Sequence, residues 1–387
     1  MVKFKNRNAG KKIAILGGGL CGRLLAWRIA SISSMETVDN GIIEDIGIKN
    51  IELHVFEKGS LNPNLNTTDK ASAFTAAAML SPSSELVSSE LEIFQLGQRS
   101  LTLWPKWLKQ INGQQYFHQR GSLVIAHPND LAELRQFEKD LRFKLQQLST
   151  KQPSTKQIKT SQYQLIQSQQ QLNVLEPNLG NHFQQGLFLQ DEAHIDHHPV
   201  LNKLIEEAQV LDVQFHQHQP MDIDDPKLSD FDLIFDCRGF GSKQSSNDQA
   251  QIRGVRGEVI WLESKEITLT RPIRIMHPRY KLYLVPKPNN QFMIGATEIE
   301  SEDQSPISLR SSMELMSALY AINPAFSEAR ILYQDQNLRP AYFDNLPKIQ
   351  QSESKRQQPV ISINGLYRHG YLIGPALIEQ AIEKVFS

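Results

Sequence analysis

Gly17, Gly19 and Gly22 fall in the pattern G-x-G-x-x-G inside the stretch KKIAILGGGLCGRLLAWRIA. Each position has its own physical role. The first allows a tight turn, the second lets a pyrophosphate reach the backbone, and the third lets a helix pack closely on a strand. Lys12 to Leu16 is a short apolar run of strand type, and Leu20 to Ile29 carries apolar residues at helical spacing, so the glycines sit where strand becomes helix. Backbone N–H groups at such a helix start face phosphates. A carboxylate at the end of the next strand would accept the hydroxyls of an adenosine ribose, and IELHVFEKG alternates as a strand and delivers Glu57. The expectation is a dinucleotide cradle. It has one departure: 35 residues separate Gly22 from Glu57, against about 20 in the usual fingerprint. SISSMETVDNGIIEDIGIKN therefore holds an insertion, read as a surface loop.

Other residues with chemical potential are less eloquent. The pairs His197, His198 and His216, His218 lack companion ligands at metal spacing, so no metal is expected. Cys21 and Cys237 are the only cysteines, too few for a disulfide framework and in keeping with a reducing compartment.

These groups must be positioned by a sizeable fold. The 387 residues allow two or three domains, and 40% hydrophobic content is ample for a core. Lys and Arg number 41 against 42 Asp and Glu, a formal net charge of −1, which advertises neither nucleic acid nor an anionic membrane as partner. The basic start MVKFKNRNAGKK followed by an apolar run suggests a signal peptide, but three glycines and Arg23 interrupt that run and no small-x-small cleavage pattern ends it. No window reaches the ~18 apolar residues of a membrane span. A soluble, cytoplasmic chain is expected.

Beyond Glu57, a polar loop leads into ASAFTAAAMLSPSSEL, Ala71 to Leu86, crowded with small residues and read as a helix whose backbone lies close to something flat. This segment, with Met79-Leu80, Pro82 and Glu85, resembles the flavin-contacting segment of the D-amino-acid oxidase superfamily, closest to its glycine oxidase branch. Further blocks resemble the same family in family order: LFLQDEAHIDHHPVL, DLIFDCRGFGS, VRGEVIWL, the hairpin YKLYLVPKPNNQFMIGAT, and near the end NLRPAYFDNLP and NGLYRHGYLIGPALIE. The resemblance implies an α/β fold: a Rossmann-like FAD-binding domain from residues 1–90, 185–250 and 335–387, and a substrate domain on a mixed β-sheet from 91–184 and 251–334. The Gln- and Ser-rich stretch 141–171 is read as a helix ending in an exposed excursion, without chemistry.

The resemblance also assigns residues. Gly17, Gly19, Leu20, Cys21, Gly22, Glu57, Lys58, Ala73, Thr75, Ala77, Ala78, Met79, Met221, Cys237, Arg238 and Gly239 would contact FAD, although the family normally has Gly where this chain has Ala78. His369, Gly370, Tyr371 and Leu372 match the loop whose N–H groups approach the flavin's pyrimidine carbonyl, ahead of a helix beginning near Pro375. Arg339, in NLRP, matches the arginine that holds a substrate carboxylate beside the flavin, a role suited to a guanidinium fork. Tyr283 matches the tyrosine that closes on the same carboxylate, and Arg368 a second arginine near the substrate entrance. Glu298 departs from the pattern, standing where glycine oxidases usually carry an apolar pocket residue; it would bind the substrate ammonium, favour a polar side chain, or point to solvent.

The implied activity is oxidation of glycine or a small amino acid to the imino acid by hydride transfer from Cα to the flavin, with oxygen or another acceptor, serving thiamine thiazole synthesis. Alternatives on the same fold are another amine, a modified tRNA uridine, or a flavin-binding accessory protein without turnover. Partners would be the small-molecule amine and the electron acceptor, with a homo-oligomer as the assembly the family suggests.

Overall fold

The computed structural model describes residues 11–34, 50–65, 67, 69–151, 163–179, 181–244, 252–277 and 282–386. The apolar strand Lys11–Leu16 lies at the heart of a six-stranded sheet, between Leu233–Asp236 and Ile51–Phe56 and parallel to both. Gln214–His216 extends the sheet on one side; Pro359–Asn364 and the antiparallel edge strand Lys348–Glu353 complete it on the other. Parallel strands need helical crossovers, and the helix Leu20–Ser34 follows the glycine turn directly. It packs against His197–Val210 and Gly370–Phe386. Leu24, Leu25, Ala26 and Ile29 are fully buried there, so this helix is enclosed on almost all sides.

The second sheet has eight strands in the order Arg330–Ala341, Arg253–Glu263, Gln291–Gly295, Leu282–Lys287, Ile273–Met276, Ser122–Ala126, Gly186–Leu189 and Tyr163–Ile166. It is mixed: Ile273–Met276 runs parallel to Ser122–Ala126 while its other neighbours pair antiparallel. The expected hairpin closes through the three residues Pro288 to Asn290, of which Asn289 and Asn290 are at positive φ (61° and 56°), the left-handed region that asparagine tolerates better than most residues. A small sheet of Met79–Leu80, Ala193–Ile195 and Phe117–His118 joins the two larger ones.

Three elements cross the expected segment boundaries. Helix Leu91–Gln110 packs on Gly370–Phe386, Gly186–Leu189 joins the eight-stranded sheet, and Arg330–Ala341 runs along that sheet's edge before the chain returns to the first. Residues 35–49, most of the expected insertion, and 152–162 of the Gln- and Ser-rich stretch lie outside the described residues; the helix before the latter spans Leu131–Lys151.

Two expectations change. Ala71 to Leu86 is not a helix. A single 3-10 turn at Ser72–Phe74 gives way to extended Met79–Leu80, and only Pro82–Leu86 is helical. The backbone is claimed from outside: the Ala77 carbonyl accepts from Lys287 Nζ (2.9 Å), the Ala78 carbonyl from the Ile195 N–H (3.0 Å), and Ala78 itself is left-handed at φ 56°. That conformation is strained for any residue with a Cβ and would suit the glycine that the resemblance leads one to expect there. The last helix starts at Gly370, five residues before Pro375. Pro375 has no N–H to give the Tyr371 carbonyl, and the Trp104 indole Nε1 donates to that oxygen instead (2.8 Å).

Candidate active site

A cavity of about 2010 Å³ runs from the glycine turn to the face of the eight-stranded sheet. At one end lie Gly17, Gly19, Leu20, Cys21, Glu57, Lys58, Met221, Cys237, Arg238 and Gly239; along its length Ala73, Thr75, Ala77, Ala78 and Met79; at the other end Tyr283, Glu298, Arg339, Arg368, His369, Gly370, Tyr371 and Leu372. Gly22 does not line it. Its place is behind the turn, where any side chain would overlap the Gly17 carbonyl, while a Cβ on Gly17 (φ +98°) would stand 2.7 Å from the Cys237 carbonyl oxygen.

The turn is rigidly held. Glu57 accepts from the N–H of Gly18 (2.6 Å) through one carboxylate oxygen and from that of Gly59 (3.0 Å) through the other, leaving each with a free lone pair for a ribose hydroxyl. Arg23, fully buried, donates to the carbonyls of Gly18 (2.6 Å), Leu201 (2.9 Å) and Leu61. In sequence it reads only as an interruption of the apolar run; an arginine that cannot reach solvent must find acceptors, and it finds three. Arg238 grips Asp236 with a fork (2.9 and 2.7 Å) and reaches the Met221 carbonyl (3.1 Å). Burial pushes the Cys21 thiol up to about 12, so it stays neutral beside the turn.

The middle segment is tied to both ends. The Tyr371 hydroxyl donates to the Ala73 carbonyl (3.0 Å). Thr75 donates to Asp335 (2.8 Å), which also pairs with the buried Lys70 ammonium (2.8 Å). Asp335 stands four residues before Arg339 on one strand, so the flavin-facing segment and the strand bearing Arg339 share a buried ion pair. Nothing in the sequence singles out either partner: 265 positions separate them.

At the far end, both terminal nitrogens of Arg339 donate to the Thr297 carbonyl (3.1 Å each). The guanidinium makes no ion pair among the described residues. It lies over Gly257, where a methyl group would overlap it. Thr297 is fixed in turn by Glu258, which accepts from its hydroxyl (3.0 Å) and pairs with buried Arg256 (2.7 Å). The Tyr283 hydroxyl has no hydrogen-bond partner among the described residues; burial raises its pKa against the opposing pull of Arg339, so it is a neutral donor.

Arg368 is differently placed. It bridges Glu85 (3.0 Å) and Glu298 (2.9 Å) and donates to Ser88 Oγ (2.9 Å). Burial opposes its charge, but the two carboxylates hold its pKa above the ordinary value. Burial likewise opposes the charge of Glu85, and Arg368 with Arg274, which donates to it at 2.8 Å, keeps it ionised far below the usual carboxylate range. Burial would raise Glu298 as well; the Tyr367 hydroxyl, Arg368 and Arg339 bring it below its ordinary value. Glu298 is thus partly exposed but tethered to Arg368. His369 is pushed down to about 4, chiefly by burial, and is neutral near pH 7.

Among the described residues, the histidine pairs noted in the sequence have other partners. His197 and His198 both aim Nε2 at the Phe74 carbonyl, and His216 Nε2 meets His54 Nδ1 (2.9 Å). His118, His194 and Asp196 do converge within 4.8 Å, but His118 already bonds Asp196 (2.8 Å) and the Lys287 ammonium acts on both His194 and Asp196.

The cavity's length, its side-chain-free turn, the carboxylate at the strand end and the neutral middle segment fit FAD. The family model described as DAO, FAD dependent oxidoreductase, matches residues 12–383. The chain belongs to this family. A DAO-family relative from Rhizobium etli, described as "Putative thiamine biosynthesis oxidoreductase ThiO", is 31% identical over 379 residues, 97% of each chain. Two glycine oxidase crystal structures share the fold, each at 17% identity and a TM-score of 0.73. That of Bacillus cereus covers 97% of this chain and 94% of its own; that of Geobacillus kaustophilus covers 97% and 96%. This DAO-family chain is accordingly an FAD-dependent oxidoreductase, and none of its described helices is long and apolar enough to cross a membrane.

Proposed function

We propose that this chain oxidises the Cα–N bond of glycine or another small amino acid to the imino acid, with oxygen as acceptor. The single observation that carries the reading is Arg339, a guanidinium facing the cavity whose hydrogen bonds go to carbonyls and whose charge is unmatched by any ion pair among the described residues. Such a group calls for a carboxylate, and a planar fork fixes that carboxylate's orientation as well as its charge.

In this reading residues 1–90, 185–250 and 335–387 chiefly hold the cofactor and the intervening stretches chiefly shape the substrate site. The glycine turn and Glu57 would hold the diphosphate and ribose, Ala73 to Met79 would line the flavin, and the N–H groups and dipole at the start of the Gly370 helix would favour the negative charge that the flavin gains on reduction. FAD, when bound, accepts the electron pair that leaves the substrate. Arg339 and the Tyr283 hydroxyl hold the α-carboxylate, which orients the Cα–H bond. The pKa of His369, lowered to about 4, and that of Glu298, held below its ordinary value, make both weak proton acceptors near pH 7, so neither is drawn on as a base. The Rhizobium etli relative supports a place in thiamine biosynthesis.

The test is anaerobic mixing of the yellow protein with glycine, sarcosine and D-alanine, followed by air. Bleaching by at least one of them and return of colour in air are expected, with Arg339→Lys losing ~10²-fold in kcat/KM at unchanged flavin content. A flavin that dithionite reduces but no amine reduces would defeat the proposal.

A further inference from the structure

We propose that Glu298 sets the charge of the substrate this site accepts, admitting amines that carry one carboxylate and turning away those that carry two. The inference rests on the amine-oxidising reading and adds a substrate class to it.

The argument is one of local charge. Arg274 and Arg368 face Glu85 and Glu298, two cations against two carboxylates, all joined by contacts of 2.8 to 3.0 Å. Their charges cancel within the group. Arg339 stands beside them without an ion pair among the described residues, and its charge is felt by Glu298. Within this group Arg339 is therefore the one uncompensated guanidinium, enough for one carboxylate. Glu90 and Glu133 also line the cavity and add no cation; the exposed Arg310 lines it too, one turn before Glu314 on helix Leu309–Ile322 and outside this cluster.

Glu298 is the member that decides this balance. With an apolar residue at 298, Arg368 would keep Glu85 alone as its ionic partner, and the cluster would carry a net positive charge ready for a second anion. Glu298 instead follows Thr297, whose carbonyl holds Arg339, so its carboxylate stands next to the place where the substrate's own carboxylate must dock. The side chain is half exposed (49%) and lines the cavity, so its carboxylate can be reached by the occupant. A second carboxylate on the substrate would meet that charge at close range, where like charges oppose binding strongly. An N–H or O–H on the substrate would meet an acceptor. Because Arg368 and Tyr367 tether the carboxylate, it cannot simply turn away.

The experiment compares wild type with Glu298→Gln and Glu298→Asp. One arm measures anaerobic flavin reduction by glycine against iminodiacetate and by D-alanine against D-aspartate. The other follows the flavin spectrum during titration with acetate and with malonate, which needs no turnover. Wild type is expected to favour the monocarboxylate in every pair. Glu298→Gln should shift each ratio toward the dicarboxylate by roughly tenfold or more, through KM rather than kcat, and Glu298→Asp should restore the preference. Ratios unchanged in a Glu298→Gln protein of normal flavin content overturn the inference. Failure of every amine to reduce the wild-type flavin defeats the amine reading instead, and the acetate and malonate titrations still decide the role of Glu298.

Discussion

At the glycine-turn end of the cavity Arg23 commits its guanidinium to three carbonyls and never meets the occupant, whereas at the far end Arg339 leans on the Thr297 carbonyl and keeps its charge turned into the cavity. Both are arginines in polar contact with backbone, yet one builds a wall and the other an anchor. The difference lies in exposure and in what surrounds each. Arg23 sits in an apolar helix with no route to solvent, and its acceptors stabilise a turn whose recognition is done by bare backbone. Around Arg339, in the function proposed above, recognition would fall to side-chain charge: Glu85, Arg274, Arg368 and Glu298 pair with one another and leave Arg339 without an ion pair among the described residues. Backbone recognition tolerates little change in shape, and charge recognition tolerates little change in balance.

This contrast can be broken first at the backbone end. Gly22→Ala would place a methyl group on the Gly17 carbonyl, so the turn must open; roughly tenfold or greater loss of bound FAD is expected, read as flavin absorbance per mole of purified protein. Retention of full flavin content would show that the turn is softer than its contacts imply. At the other end Gly257→Ala should leave flavin content intact while pushing the Arg339 guanidinium out of place, with a loss of ~10² in kcat/KM for amino acids. Loss of flavin instead would mean that the two ends are not separable. The smallest effect concerns acid. His369 has a folded pKa of about 4 against an ordinary 6.5, so its contribution to stability is complete above pH 6.5 and is lost as pH falls toward 4, because the unfolded chain binds the proton more readily in that window. His369→Gln should therefore flatten the stability slope between those values by up to ~1.4 kcal/mol per pH unit, measured by urea unfolding of the holoprotein. An unchanged slope would place acid sensitivity elsewhere, His198 being a further buried imidazole lowered to about 4.

Legibility in the sequence follows the same divide. The glycine turn, its flanking strand and helix, and Glu57 can be read because their rules are local: a glycine spacing, an apolar alternation, an acid at a strand end. The hairpin through Asn289 and Asn290 is legible for the same reason. Ala71 to Leu86 misleads because its small residues resemble a helix in composition, while its conformation is imposed by Lys287 and Ile195 from distant strands. The helix at Gly370 is placed late from sequence because Pro375 looks like a first-turn residue, and only the Trp104 indole makes an interior proline tolerable there. Arg339 and Tyr283 are reached by family resemblance alone. Glu85 with Arg274, and Lys70 with Asp335, carry no local signal at all, since the pairs join residues 189 and 265 positions apart.

The six-stranded sheet has a consequence for how the molecule comes into being. Lys11–Leu16 is made before the other strands of its sheet, yet one of its two neighbours, Leu233–Asp236, is made more than two hundred residues later and Pro359–Asn364 later still. At ~5 to 20 residues per second the first strand waits on the order of ten seconds or more with an apolar flank uncovered. Over that interval the nascent strand depends on shielding, and the vitamin-derived cofactor has its full sheet to bind against only once Pro359–Asn364 has been made.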